Sequence, residues 1–587
     1  MGKEVFNRAL FDSKSVPIYQ QEEEIKMLNR KPSVILAVLV TISWLLSACA
    51  TPAPEVRVET QVVEVEKEKR VEIIVTPTPV PQVLRLHEGT ALNIDPGLSG
   101  VGSGHHIMFN LFDGLVRADP ETGKVIPACA ESWEPSQDIT TWTFHLRDDI
   151  VWSDGVPLTA HDFEWAWKRN LDPQTNAPFS FMLYSVQGAP DFNSGEITDS
   201  DAVGVKAVDD RTLKVTCAGP CPYFPKVATT LVLMPLPRQA VEEHGDKWTR
   251  TENIVVNGPF TVESWTPDKE LVLVPNPNYW EEKPKLDRVI YTLVESVRSS
   301  CLLSYQAGEI DACQLDLKEL PRLRQDPELN KEIVQLIESR TEWLGFDTSH
   351  APWEDDRVRH AFSLAIDREA LSQVVTKGAF PPATTILPPG MPGYTPLAAL
   401  EGDAETARDL LAKAGYPGGT GFPSVKLTFI SAGPGTIYQL TAEALQATWK
   451  ETLGITVELD PMERGAYYAW CRTKGETPWD MDIENWGSDY DDPANWHNEL
   501  FTCDTDFYHT HWCNQAFDDL VSKAIVETND AKRTKLYEEA EILLVQEGPY
   551  APLWNRSMVY MVKPYIKDLQ FETLLNWTLV RNTYIAK

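Results

Sequence analysis

The residues with the most chemical potential stand at 481–501, MDIENWGSDYDDPANWHNELF, where acids interleave with aromatics. Asp489, Asp491 and Asp492 are flanked by Trp486, Tyr490 and Trp496. The stretch looks like a ligand site. An acidic surface loop is the plainer alternative, since a turn rich in Pro and Asp needs no function to explain it. A second cluster lies at 503–513, CDTDFYHTHWC, with two cysteines and a His-x-His. It suits either a zinc ion or a disulfide. The pair His105-His106 also invites a metal, but adjacent rings are hard to place on one ion, and a helix start accounts for them. Nucleophile elbows, phosphate-binding glycine loops and H-E-x-x-H are absent from the sequence. No catalytic residue, metal or cofactor is therefore expected, and an extracytoplasmic amidase or peptidase has nothing positive behind it.

The elements that must position these residues belong to a long chain of 587 residues, 43% hydrophobic. That is enough for more than one core, because single cores stop growing beyond roughly 250–300 residues. The formal net charge of −33 argues against nucleic acid as a partner, since phosphate binding needs a basic face. The front of the chain reads as processing signal. Met27 is read as the true start, followed by Asn29-Arg30-Lys31 and an apolar run at 34–46. The run is shorter than the roughly 20 residues of a spanning helix, and basic flank plus short apolar run is a secretory signal. It ends Leu46-Ser47-Ala48-Cys49, which resembles a bacterial lipobox. That resemblance implies lipid attachment at Cys49, with residues 1–48 removed. Residues 49–82 are rich in Pro, Thr, Glu and Val and read as an extended tether.

Within the rest, residues 141–171 carry the clearest local signals. Trp142, Phe144 and Leu146 alternate with polar residues, which predicts a half-buried strand. A short second strand is expected at 150–152. Thr159 and Asp162 form a capping-box pattern, with Leu158 placed to reach Phe163 as a staple. A helix is expected through Ile107, Leu111 and Leu115, and strands at 203–215 around Asp209-Asp210. Another strand is expected at Trp343–Thr348, then a helix capped by Asp355-Asp356. Arg357, Arg359 and Arg368 read as solvated helix charges. Farther on, strand, helix and strand follow at 425–430, 437–451 and 456–459, the alternation of a layered α/β fold.

Read in order, WTFHLRDDIVWSDGVPLTAHDF, NGPF, NPNYW, YQAGEIDA, DDRVRHAFSLAIDREAL and WGSDYDDP closely resemble the motifs of the extracytoplasmic solute-binding proteins of peptide-type ABC importers. The resemblance covers nearly all of residues 83–587. It implies two α/β lobes of the periplasmic-binding-protein kind with a cleft between them. Lobe I is expected at 83–340, with an inserted subdomain at about 117–230. Lobe II is expected at 341–548, and residues 549–587 return to lobe I. Crossing segments are expected near 339–347 and 549–553. In the family the aspartate of W-x-x-D-Y pairs with a peptide's ammonium, and that position is Asp489. Trp486 and Gly487 fall on residues lining the first side-chain pocket and meeting the ligand backbone, and Tyr490 is carried with them. No match is found for the basic residues that relatives use for a peptide's carboxylate. Export makes disulfides possible, and some relatives bridge where Cys503 and Cys513 stand, so this pair is preferred over zinc. Cys217–Cys221 is the second candidate; Cys129, Cys301, Cys313 and Cys471 are left unpaired.

The function expected from the resemblance is capture of a di- or oligopeptide and its delivery to the permease of an ABC importer. The protein would be a monomer held to the outer face of the cell membrane by its lipid. The same architecture also carries oligosaccharides and other solutes, and the 19 tryptophans would suit sugar rings.

Overall fold

Residues 81–586 are described here by a computed structural model, apart from 91, 99–103, 398–401, 432, 434 and 573–576. The signal segment, Cys49 and most of the tether lie outside the described residues.

The alternation at 141–146 does form a strand, Thr141–Leu146, with Trp142, Phe144 and Leu146 buried. It joins Ala130–Pro135, Thr212–Thr216 and Val205–Asp209 in a four-stranded antiparallel sheet. The strand expected at 150–152 shrinks to one bridge, Val151 to Pro157. The chain doubles back too soon for a ladder: Gly155 takes φ 88° and its N–H donates to the Trp152 carbonyl at 2.8 Å. The helix Ala160–Leu171 begins with the expected capping box, in which the Thr159 N–H donates to Asp162 Oδ2 at 2.8 Å. Leu158 and Phe163 are both buried beside it.

A second four-stranded sheet runs in the order Val83–Gly89, Arg288–Val294, Glu270–Pro275, Phe260–Thr266, its first pair parallel. The helix His105–Leu111 packs on it and stops short of Leu115. Phe112 turns extended because the Gly258 backbone docks there, its N–H on the Leu111 carbonyl at 2.8 Å. Leu115 is still buried in the same core.

The third sheet has six strands, in the order Ala312–Gln314, Tyr550–Val562, Ile333–Phe346, Met481–Gly487, Lys426–Ser431, Glu458–Glu463. Helices Asp356–Leu364, Arg368–Thr376, Ala404–Lys413 and Ile437–Leu453 supply residues to the core against it. Its two long strands lie side by side, and their register breaks between Ile337 and Thr341. Another cluster surrounds Trp343, whose ring lies 5.5–6.2 Å from those of Tyr508, Tyr550, Phe501 and Trp496. Replacing an aromatic packed on so many sides with Ala costs about 3–5 kcal/mol.

Two arginines depart from the sequence expectation. Arg357 is exposed and pairs with Asp355, but Arg359 and Arg368 are buried. Arg359 donates to the carbonyls of Trp353 and Gly548 at 2.6 and 3.1 Å, and Arg368 to that of Pro552 at 2.6 Å. Guanidinium forks donate to several backbone carbonyls at once, so these charges are spent inside the core.

Candidate functional site

The strand Met481–Gly487 pairs with Ile333–Phe346 along its whole length, Thr341 opposite Trp486 and Arg340 opposite Gly487. On its other side the ladder to Lys426–Ser431 covers only Met481 and Asp482. Tyrosine hydroxyls bond the carbonyls of Ile483 and Asn485 at 3.1 and 3.0 Å. Beyond Gly487 the chain turns, held by Ser488, whose N–H donates to the Ser339 carbonyl at 2.9 Å.

Asn495 is the pivot of this turn. Its Oδ1 accepts the Asp489 N–H at 2.7 Å and the Trp486 indole N–H at 3.3 Å. Its Nδ2 donates to Glu499 Oε2 at 2.9 Å and reaches Asp489 Oδ2 only at 3.4 Å. Among the described residues Asp489 has no cationic partner within salt-bridge distance. Burial pushes its carboxyl up to about 6, against the opposing pull of Asn495 and the more distant Arg340. Burial likewise pushes Glu499 up to about 7, eased by the Tyr490 hydroxyl and reinforced by the Asp489 charge. Asp492 contrasts with both. Burial would raise it too, but Lys226 and Arg533 hold it below the ordinary carboxylate range. Arg533 grips both its oxygens, and Lys226 Nζ stands 3.3 Å away.

The four residues read from the motif are thus not equivalent. Asp489, Trp486 and Gly487 gather at the end of one strand, Trp486 edge-on to Phe507 at 5.6 Å. Tyr490 is only 3% exposed. It stacks on Tyr223 at 5.6 Å, and its hydroxyl donates to Glu499. Little of it is left to meet a ligand; it pins the turn to the segment that carries Tyr223 and Lys226.

Sequence reasoning missed Asn495, Glu499 and Arg340. The first two read as ordinary polar residues of a loop, and Arg340 lies far away in the chain. The cysteines pair as Cys503–Cys513, Cys217–Cys221 and Cys301–Cys313, with S–S distances of 2.09, 2.05 and 2.02 Å. The last of these was left unpaired at the level of sequence; it joins the helix Val297–Ala307 to the strand Ala312–Gln314. His511 Nδ1 lies 2.9 Å from the buried Asp347, and His106 Nε2 lies 3.4 Å from Glu88. Among the described residues no group of three or more His, Cys, Asp or Glu could hold a metal ion.

Comparison with known proteins adds the following. Residues 124–508 match the model of the bacterial extracellular solute-binding proteins, family 5. The probable deoxycholate-binding periplasmic protein YgiS of Escherichia coli is 31% identical over 502 residues, 84% of this chain and 91% of that protein. The periplasmic oligopeptide-binding protein OppA of Salmonella typhimurium is 32% identical over 502 residues, 81% of this chain and 88% of its own. Among solved structures, the periplasmic murein tripeptide-binding protein MppA in its unliganded open form superposes with a TM-score of 0.78 at 28% identity. It covers 86% of this chain and 98% of that one.

Proposed function

Because the chain belongs to the bacterial extracellular solute-binding proteins of family 5, it is a two-lobed extracytoplasmic binding protein and not an enzyme, and we propose that it captures a di- or oligopeptide by its free amino terminus. The observation that carries this reading is the Asp489 carboxylate: desolvated, oriented through Asn495 and, among the described residues, with no cation in salt-bridge range. A ligand ammonium would supply the missing charge and bring the carboxyl back to its ionised form. Trp486 and the backbone of Gly487 would meet the first residue.

Closure of the lobes is then a hinge motion, drawn by the ligand's greater affinity for the closed state. The register break between Ile337 and Thr341 is where we place the hinge, on the crossing strands between residues 83–340 and 341–548. The closed receptor would deliver its ligand, as a monomer, to the permease of an ABC importer. Cys49 would carry the lipid; each buried methylene contributes roughly 0.8 kcal/mol, so several acyl chains hold the protein at the membrane. Cys49→Ser should move the protein from the detergent phase to the aqueous phase, and equal partitioning of the two would remove the anchor.

The test of the ligand class is calorimetry with alanyl-alanine, trialanine, cellotriose and deoxycholate. The peptides should bind with dissociation constants far below those of the other two. Binding of the sugar or the bile acid, with none of the peptides, would overturn the reading.

A further inference from the structure

A cavity of about 280 Å³ lies between the sheet that begins with Val83–Gly89 and the edge of the six-stranded sheet. Glu88 and Tyr291 line it from the first sheet, Gln314 and its ladder partner Tyr560 from the second. Phe571 joins them, its ring 4.7 Å from that of Tyr560, and the disulfide Cys301–Cys313 forms part of the wall. The cavity stands apart from Asp489. Tyr560 is five residues along its strand from Asn555, which pairs with Thr341, itself opposite Trp486. Five strand residues span roughly 17 Å, whereas a dipeptide held at Asp489 reaches only about 7 Å.

The lining is negative and aromatic. Glu88 is its one carboxylate, and no lysine or arginine lines it among the described residues. Glu88 is 5% exposed. Its Oε1 accepts the Gly89 N–H at 2.8 Å, and its Oε2 lies 3.4 Å from His106 Nε2. The Thr578 N–H donates to His106 Nδ1 at 3.4 Å, which leaves the ring proton on Nε2 and the imidazole uncharged. Burial lowers His87, the other histidine of the lining, and so favours its neutral form. Arg298 is exposed and donates to Gln314 Oε1 at 3.3 Å. Tyr291 is 1% exposed, and its hydroxyl has no hydrogen-bond partner among the described residues. The Glu88 charge acts on both Tyr291 and Tyr560. A buried carboxylate without a full cation and a buried hydroxyl without a partner are costly to keep unless a ligand answers them.

We propose that this cavity is a second binding site, separate from the peptide site, for a small organic cation. An ammonium group sits against Glu88 among the rings of Tyr291, Tyr560 and Phe571, and a hydroxyl of the ligand meets that of Tyr291. Aromatic faces attract a cation through their quadrupole, most strongly where water is excluded. The volume lies just below the roughly 300 Å³ at which drug-sized sites begin, so the occupant is a molecule the size of choline or ethanolamine. The proposal does not depend on the peptide reading.

Calorimetry with choline, ethanolamine and 3,3-dimethylbutan-1-ol, the neutral isostere of choline, tests this on the full chain. One or both cations should bind the parent, and the neutral alcohol should bind more weakly by roughly ten- to a hundredfold, the range of a hydrogen bond to a charged group. Glu88→Gln keeps an oxygen for the Gly89 N–H but removes the charge, and it should lose the same factor for the cation and nothing for the alcohol. Tyr291→Phe should weaken choline less than Glu88→Gln does. Ala312→Leu, which fills the cavity without touching a polar group, should lose the cation and keep alanyl-alanine. Asp489→Asn and saturating alanyl-alanine should leave cation binding unchanged. Equal binding of choline and its isostere, or no cation bound below about 10 mM, would overturn the site. Displacement of the cation by alanyl-alanine, or its loss in Asp489→Asn, would place it at the peptide site and overturn the second one. Failure of alanyl-alanine to bind, with the cation still lost in Glu88→Gln, would overturn the peptide reading and uphold this one.

Discussion

The pH dependence of capture follows from the state of Asp489 before the ligand arrives. With its carboxyl pushed up to about 6 by burial, Asp489 carries a proton in a large share of molecules in mildly acid solution. The ionised share falls from about nine-tenths at pH 7 to about one-tenth at pH 5. An ammonium binds the ionised form, so the ligand must displace the proton, and affinity should drop about tenfold between pH 7 and pH 5. On the alkaline side the ligand's own α-amino group, near 7.7–8.0 in model peptides, loses its charge and affinity falls again. The profile is therefore a bell with its top near neutrality. Glu499, pushed up to about 7, titrates on the same limb. Tyr490, Tyr223, Asp492 with its two cations, and Arg340 also face the pair. Calorimetry in two buffers of different ionisation heat at pH 6 should show proton release on binding, about half a proton from Asp489 alone. Asp489→Asn should flatten the acid limb, and N-acetylation of the ligand should abolish the alkaline one. An affinity unchanged from pH 5 to pH 7, with no proton release, would refute the reasoning.

Asp492→Asn removes the buried carboxylate that Lys226 and Arg533 share, stranding two cations; it should cost about 3–5 kcal/mol in urea unfolding. Because Asp492 is held below the ordinary carboxylate range, its contribution is present above that range and lost as pH falls through its own lowered value; the variant should lack this acid-sensitive part. A loss under about 1 kcal/mol would show that the network is as weak as a surface pair. Non-reducing mass spectrometry of the exported protein should find Cys301 linked to Cys313 and Cys503 to Cys513, with Cys129 and Cys471 free. Stoichiometric zinc with free thiols at 503 and 513 would contradict that pairing. Cys301→Ser should lower stability by about 3 kcal/mol on the chain-entropy estimate for so short a loop.

Much of the fold was legible because local signals and burial agree. The alternation at 141–146 and the capping box at Thr159 each stand where the spacing placed them. What escaped depends on partners distant in the chain. Arg359 and Arg368 look solvated on a helical wheel, but the strand Tyr550–Val562 and the turn before it bring distant carbonyls over them. The helix end at Leu111 is set by Gly258, which local periodicity cannot register. The site divides in the same way. Asp489, Trp486 and Gly487 fall in one motif, so likeness to a family could find them. Asn495 and Glu499 acquire meaning only through hydrogen bonds across the turn, and Arg340 only through the strand register.

The central claim is that Asp489 is the receptor for a ligand's ammonium group. Calorimetry on four combinations tests it most directly: parent and Asp489→Asn, each with alanyl-alanine and its N-acetyl form. Removing one partner of a desolvated charge pair costs about 2–5 kcal/mol, or roughly 30-fold to several thousand-fold in affinity. Mutation and acetylation should each produce a loss of that order, and the two losses should not add, because either one removes the same pair. Binding of the acetylated peptide by the parent as tight as that of the free one would contradict the claim.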